Sequence, residues 1–272
     1  MKHSILAAVV FVFVLDVVCF AGPSSLGAHF DKVPPRSQDF AQLLEKAERG
    51  DRHAQFEVGL AYESGSGAEL DYSEAMRWYR IAADRGDVGA QNNLGSMYGR
   101  GLGVSKSDSE ALRWYLRAAG EGLAAAQYNL GMMYAYGQGV ERSMQPAKLW
   151  LDKAAAQGYA PAEVELGHMY VSGLMGPTDA KEGLKWYRKA AKSGNVAAEL
   201  ALGLAYLHGT GVPEDAQQGM RWLQKAAQHG STAAAPLLKA GGAPASPAQP
   251  ETTSVSVLSA HSGGSSHQSN RP

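Results

Sequence analysis

The chain has 272 residues, 45% of them hydrophobic, with 25 Lys plus Arg balanced by 26 Asp plus Glu. That balance supplies no net field to attract nucleic acid or an anionic membrane surface, so neither is expected as a partner. The one cysteine, Cys19, lies close to the N-terminus and leaves the rest of the chain without a disulfide, so packing alone must hold the fold.

At the start, Lys2 precedes an apolar run from Ile5 to Phe20, and Ala21 is a small residue before Gly22-Pro23. This pattern predicts a secretory signal peptide over residues 1–21, with cleavage after Ala21 and a periplasmic or secreted product. Asp16 interrupts the run and shortens it well below the roughly 20 apolar residues of a membrane span, so no membrane insertion is expected after cleavage. An uncleaved anchor is the alternative, while Asp16 and Val18 are poor neighbours for a lipidated Cys19. Residues 22–36 read as a linker, and residues 37–50, with DFAQLLEKAERG at Asp39 to Gly50, as an N-terminal capping helix.

From Asp51 to Gly230 a template of 36 residues runs through five copies without insertion or deletion: 51–86, 87–122, 123–158, 159–194 and 195–230. All five tryptophans, Trp78, Trp114, Trp150, Trp186 and Trp222, keep that step, as do Tyr62, Tyr98, Tyr134, Tyr170 and Tyr206. A fixed period in this range marks a solenoid, in which each unit buries its apolar face against its neighbours. The first segment of each block carries Ala54, Val58 and Tyr62 or their equivalents, spaced by four and hence on one helical stripe. A glycine-rich turn follows, as at Gly101-Leu102-Gly103, but the fourth copy reads Gly173-Leu174-Met175-Gly176 and predicts a rearranged turn.

The second helix of each block opens at an N-cap residue, Asp71, Ser107, Ser143, Asp179 or Asp215. Three residues on stand Glu74, Glu110, Glu182 and Gln218, the spacing of a capping box, while Pro146 in the third copy cannot return the bond. Each second helix ends in an Ala-Ala pair before its glycine, and such small residues let neighbouring helices approach closely. Residues 231–240 resemble a truncated first helix and predict a C-terminal cap; residues 241–272, rich in Ala, Gly, Ser and Pro, predict a disordered tail.

The block A-Q-x-x-L-G-x-M-Y-x-x-G-x-G-V followed by E-A-x-x-W-Y-x-x-A-A-x-x-G, as in Ala90 to Gly122, resembles the Sel1-like repeat, a relative of the tetratricopeptide repeat. The resemblance covers Asp51 to Gly230. It implies an all-α fold, an α/α solenoid or superhelix of five helical hairpins, about twelve helices and no strands. It also implies a protein-interaction adaptor or scaffold, of the kind recruited in envelope regulation, secretion or host interaction, and it supplies no catalytic residues.

Internal repetition separates packing columns from free ones. In the first helix the repeated columns of Ala54, Gln55, Val58, Gly59 and Tyr62 cluster on one side at about 100° per residue. Opposite lie the columns of His53, Phe56, Glu57, Leu60, Glu63 and Ser64, which are chemically mixed along the array. They hold Asn92, Asn93, Ser96 and Arg100, then Tyr128, Asn129, Met132 and Tyr136, then Glu165, His168 and Ser172, then Leu200, Leu204 and His208. In related helical-hairpin solenoids the first helices line the concave face. Phe56, Leu60, Asn92, Ser96, Arg100, Tyr128, Met132, Tyr136, His168, Leu204 and His208 are therefore the candidate partner-binding residues, richest at Tyr128, Met132 and Tyr136. Ordinary packing between repeats is the competing account of the same stripe. The tryptophans are assigned to the core, because a stripe at fixed spacing fits packing better than a ligand cage.

Catalytic constellations are missing: HExxH, GxSxG, a Walker loop and Ser-x-x-Lys do not occur, so no enzyme activity, cofactor or metal is expected. His168 and His208 lack a Cys or carboxylate partner at ligand spacing. The expected partner is a protein or peptide. An envelope polysaccharide or peptidoglycan assembly role is the alternative, and β-lactam binding or hydrolysis, known in cysteine-rich relatives, is a remote one because this array has no cysteine.

Overall fold

The computed structural model describes residues 38–241, so the signal, linker and tail readings fall outside the described residues. Among the described residues there are twelve helices and no strand, in accord with an α/α solenoid. The N-terminal cap is α1 (Gln38–Glu48). The five hairpins follow as α2 (Arg52–Ser64) with α3 (Tyr72–Asp84), α4 (Val88–Arg100) with α5 (Asp108–Gly120), and α6 (Ala124–Tyr136) with α7 (Met144–Ala156). Then come α8 (Ala160–Ser172) with α9 (Ala180–Lys192), α10 (Val196–His208) with α11 (Ala216–Gln228), and the C-terminal cap α12 (Ala234–Gly241).

Each hairpin closes through backbone groups that the sequence pattern does not display. The N–H of the N-cap residue of each second helix donates to the carbonyl of the repeated tyrosine: Asp71 to Tyr62, Ser107 to Tyr98, Ser143 to Tyr134, Asp179 to Tyr170 and Asp215 to Tyr206, at 2.9–3.0 Å. This corrects the capping-box expectation, because the amide that a glutamate would have reached is already bonded. Glu74, Glu110 and Glu182 pair instead with Arg77, Arg113 and Lys185 on their own helices. The forward half of the motif survives in four copies, where Asp71, Ser107, Asp179 and Asp215 accept from the third helical amide. Ser143 makes no side-chain cap bond, since Pro146 occupies that position and has no N–H to give.

Close approach within a hairpin depends on a glycine in each first helix. A Cβ on Gly95 would stand 2.7 Å from the ring of Tyr115, and one on Gly59 2.6 Å from Tyr79, both of them fully buried rings. The turns interlock in turn with the preceding repeat: a Cβ on Gly103 would meet the Tyr72 carbonyl at 2.5 Å. In the fourth copy Met175 takes that column and packs partly buried against the seam below, while the turn tightens through a bond from Gly176 N to Gly173 O at 3.2 Å. The expected rearrangement is therefore present.

Between hairpins the core is segmented into seams. Each seam joins the second helix of one repeat to the first helix of the next, and the tryptophan of that next repeat covers it: Trp78, Trp114, Trp150, Trp186 and Trp222 lie on successive clusters. The tryptophans are thus packing residues. Trp78 and Trp114 are 4% exposed, whereas the later three are half-buried. Cationic side chains lie over the outer faces, including Arg117 over Trp114 at 4.6 Å and Lys153 over Trp150 at 3.9 Å.

A polar column runs along the same seams. In the first three repeats Gln55, Gln91 and Gln127 donate to the helix-end carbonyls of Ala47, Ala83 and Ala119, each of which also accepts from the backbone N–H of its capping glycine, Gly50, Gly86 or Gly122. In the last two the column holds buried glutamates. Lys189 reaches back to Glu163 at 3.0 Å and to the Ala155 carbonyl at 2.7 Å, and Glu199 meets Lys225 at 3.3 Å and His229 at 2.8 Å.

Candidate functional site

The first helices form the more enclosed layer. Every residue from Ala90 to Met97 in α4 and from Ala162 to Met169 in α8 is buried, whereas α5 buries only Ala111, Trp114, Tyr115, Ala118 and Ala119. Neighbouring first helices also touch directly. Asn129 donates to Asn92 at 3.1 Å, Phe56 lies against Gly89, and Met132 belongs to the cluster of Leu166 and Met169.

This crowding divides the candidate stripe into three. Asn92, Ser96, Met132, His168 and Leu204 are buried between helices, so a partner meets them only through the residues that cover them. Phe56, Leu60 and Tyr128 are partly buried, with Phe56 against the Tyr79 ring at 5.8 Å and Tyr128 against Tyr159 at 5.5 Å. Arg100, Tyr136 and His208, in the last turns of α4, α6 and α10, are exposed. Periodicity separated the two faces of one helix but gave no measure of how closely the next helix would cover the free face.

The densest electrostatic feature surrounds Glu165, a variable-column residue that was not among the candidates. Burial alone pushes its carboxyl up to about 7, because the charged form is separated from water without a compensating cation. Its field in turn acts on three phenols, Tyr128 and Tyr136 from α6 and Tyr187 from α9, each raised first by burial and then by this carboxylate. His168, one turn further along α8, is held below its ordinary value by burial. The usable signal was chemical but shared: a glutamate stands where the second, third and fifth copies have Asn93, Asn129 and Ala201, and the first copy has Glu57. Among the described residues no group of three or more His, Cys, Asp or Glu could hold a metal ion.

Five stacked helical hairpins, capped at both ends and with their first helices in one enclosed layer, define an α/α repeat solenoid. A family profile described as Sel1 repeat matches residues 52–87, 88–123, 124–159, 160–195 and 196–231, so the chain belongs to the Sel1 repeat family. It is similar to a Sel1 repeat protein from Oxalobacter formigenes, with 36% identity and a TM-score of 0.68, covering 75% of this chain and 59% of that one. It is also similar to c5321, a protective antigen present in uropathogenic Escherichia coli strains, with 34% identity, a TM-score of 0.64, and 75% and 44% of the respective chains covered. The chain thus spans under two thirds of either relative's length. Immunity protein PA5088 from Pseudomonas aeruginosa, 20% identical with a TM-score of 0.53 over 81% of each chain, shares the fold. A search of curated proteins finds no match. Sel1 repeat proteins are generally protein-interaction scaffolds and typically non-enzymatic.

Proposed function

We propose that this chain is an exported scaffold that captures a protein or peptide partner on its inner layer. The observation that carries the reading is an exposed aromatic side chain at the end of α6. In a column of last-turn residues that stays open along the array, as at Arg100 and His208, Tyr136 is 42% exposed beside the partly buried Tyr128. Tyrosine supplies a large contact area at small entropic cost, which suits an interface anchor. Phe56, Leu60, Arg100 and His208 extend the accessible rim along the array.

Export is supported by Lys2, the apolar run from Ile5 to Phe20 and the small Ala21. It is also supported by the Escherichia coli relative's description as a protective antigen. No helix among the described residues is long and apolar enough to cross a membrane. A polysaccharide-stacking role for the tryptophans gains no support, since those rings lie on the seams.

The test places a photo-crosslinking amino acid at position 136 and, separately, at position 149 in the second-helix layer, where Leu149 is exposed. Crosslinking in the native host is expected from position 136, and Tyr128→Ser with Tyr136→Ser should abolish copurification of the crosslinked partner. Crosslinks from position 149 alone would overturn the inner-layer reading.

A further inference from the structure

Three carboxylates are buried among the described residues: Glu163, Glu165 and Glu199. Two of them are paired with a lysine of the neighbouring helix, Glu163 with Lys189 and Glu199 with Lys225, and His229 Nδ1 also lies 2.8 Å from Glu199. Glu165, two residues from Glu163 on the same helix, makes no hydrogen bond or ion pair. A carboxylate withdrawn from water without a partner is strongly disfavoured, and buried charges are ordinarily paired. Glu165 is 8% exposed, and its oxygens are not sealed in the way that Tyr187 Oη and Glu199 Oε1 are, so an edge of the carboxyl remains reachable.

What surrounds it is aromatic. Tyr128 and Tyr136 come from α6 and Tyr187 from α9, and the Tyr128 ring is braced by Tyr159 at the start of α8. Tyr136 opens this group to solvent. No lysine or arginine pairs with Glu165; Arg142 acts on Tyr136.

We propose that Glu165, together with the rings of Tyr128 and Tyr136, forms a pocket for an arginine side chain on an extended segment of the partner protein. This rests on the inner layer being the interaction surface. A guanidinium is planar, weakly hydrated and always charged, so it can stack on a tyrosine face while its N–H groups fork onto one carboxylate. A lysine ammonium offers a point charge that holds its water more strongly, and an apolar side chain would leave Glu165 unneutralised. Repeats two and three cannot form the same site, because their column carries Asn93 and Asn129, and Glu57 of repeat one has no first helix before it among the described residues to supply the rings.

The test uses pools of capped nonapeptides whose central residue is fixed as arginine, citrulline, lysine or alanine and whose other positions are mixed. Binding to the full chain is read by fluorescence polarisation. Arginine pools are expected to bind at least tenfold more tightly than citrulline pools, which have the same shape without the charge, and lysine pools should fall between. Glu165→Gln should erase that difference while its circular dichroism matches the parent. Protonation competes with the cation, so the arginine pools should bind about tenfold more weakly at pH 6 than at pH 8. The phenols coupled to Glu165 are raised by burial and stay neutral over that range, and burial lowers His168, so a His168→Asn variant with the same profile assigns it to the carboxylate. Equal binding of arginine and citrulline pools, or a preference that survives Glu165→Gln, would overturn the pocket. If pools bind without charge preference but lose binding in Tyr136→Ser, the inner layer stands and the pocket fails. If no pool binds the full chain, both readings fail.

Discussion

The first three repeats and the last two solve one problem with different chemistry. At each seam one column of the first helix carries a buried polar side chain that must be bonded, and in the first three a glutamine amide donates to a helix-end carbonyl that also accepts from its capping glycine N–H. In the fourth a glutamate stands in that column and a lysine from the following helix serves both the carbonyl and the carboxylate. Tryptophan burial changes one repeat earlier: Trp78 and Trp114 are buried, whereas Trp150 of the third repeat, Trp186 and Trp222 are partly in solvent. The fold therefore keeps this buried column bonded without fixing the charge state of the group that stands in it. A neutral amide leaves the seam indifferent to pH and salt, whereas an ion pair brings a desolvation cost and a dependence on both.

The largest expected effect tests the burial contrast. Trp114→Ala should cost on the order of 3 to 5 kcal/mol, from lost transfer energy and the cavity left, and Trp222→Ala roughly half as much. Thermal unfolding followed by circular dichroism would measure both, and equal losses would remove the distinction between the two regions.

A second test uses Glu165, the charged residue of the C-terminal region that no seam lysine reaches. Its folded-state pKa lies at about 7, above the ordinary 4.5, so the folded chain holds a proton that the unfolded chain has released. The stabilising contribution is complete below about 4.5 and is lost as pH rises through about 7. Glu165→Gln should therefore gain stability over the parent between pH 5 and pH 8, by about 2 to 3 kcal/mol. Urea melts at the two pH values would show it, and a constant offset would mean that the carboxyl is not desolvated.

Smaller effects separate the two seam chemistries. Lys189→Met leaves Glu163, 3% exposed, without its cation and removes one of the two donors to the Ala155 carbonyl. A loss of about 2 kcal/mol is expected, reduced because Lys189 itself is half in solvent, and 1 M salt should narrow the gap to the parent. Gln55→Met removes only a neutral bond and should cost about 1 kcal/mol, unchanged by salt. Identical salt responses in the two variants would collapse the comparison.

Much of the architecture was legible because it is periodic. The step of the tryptophans, the Ala-Ala pairs and the turn glycines specify helical hairpins and their order, and four of five second-helix caps stand where serine or aspartate predicted them. The failures were local competitions for one hydrogen bond. The capping-box return bond lost to the tyrosine carbonyl, and the Ser143 cap lost its donor to Pro146. Less of the candidate site was legible. Met132 and Asn92 vary as an exposed residue would, yet lie between first helices, while Glu165 in a neighbouring column carries the stronger electrostatic signal.

By itself the sequence determined the unit, its period and which side chains pack, because those properties repeat and are written in spacing along single helices. Only the tertiary structure decided how closely successive first helices approach. That distance separates a readable surface from a buried seam, and it is set by contacts between residues about 36 positions apart, such as Asn92 and Asn129.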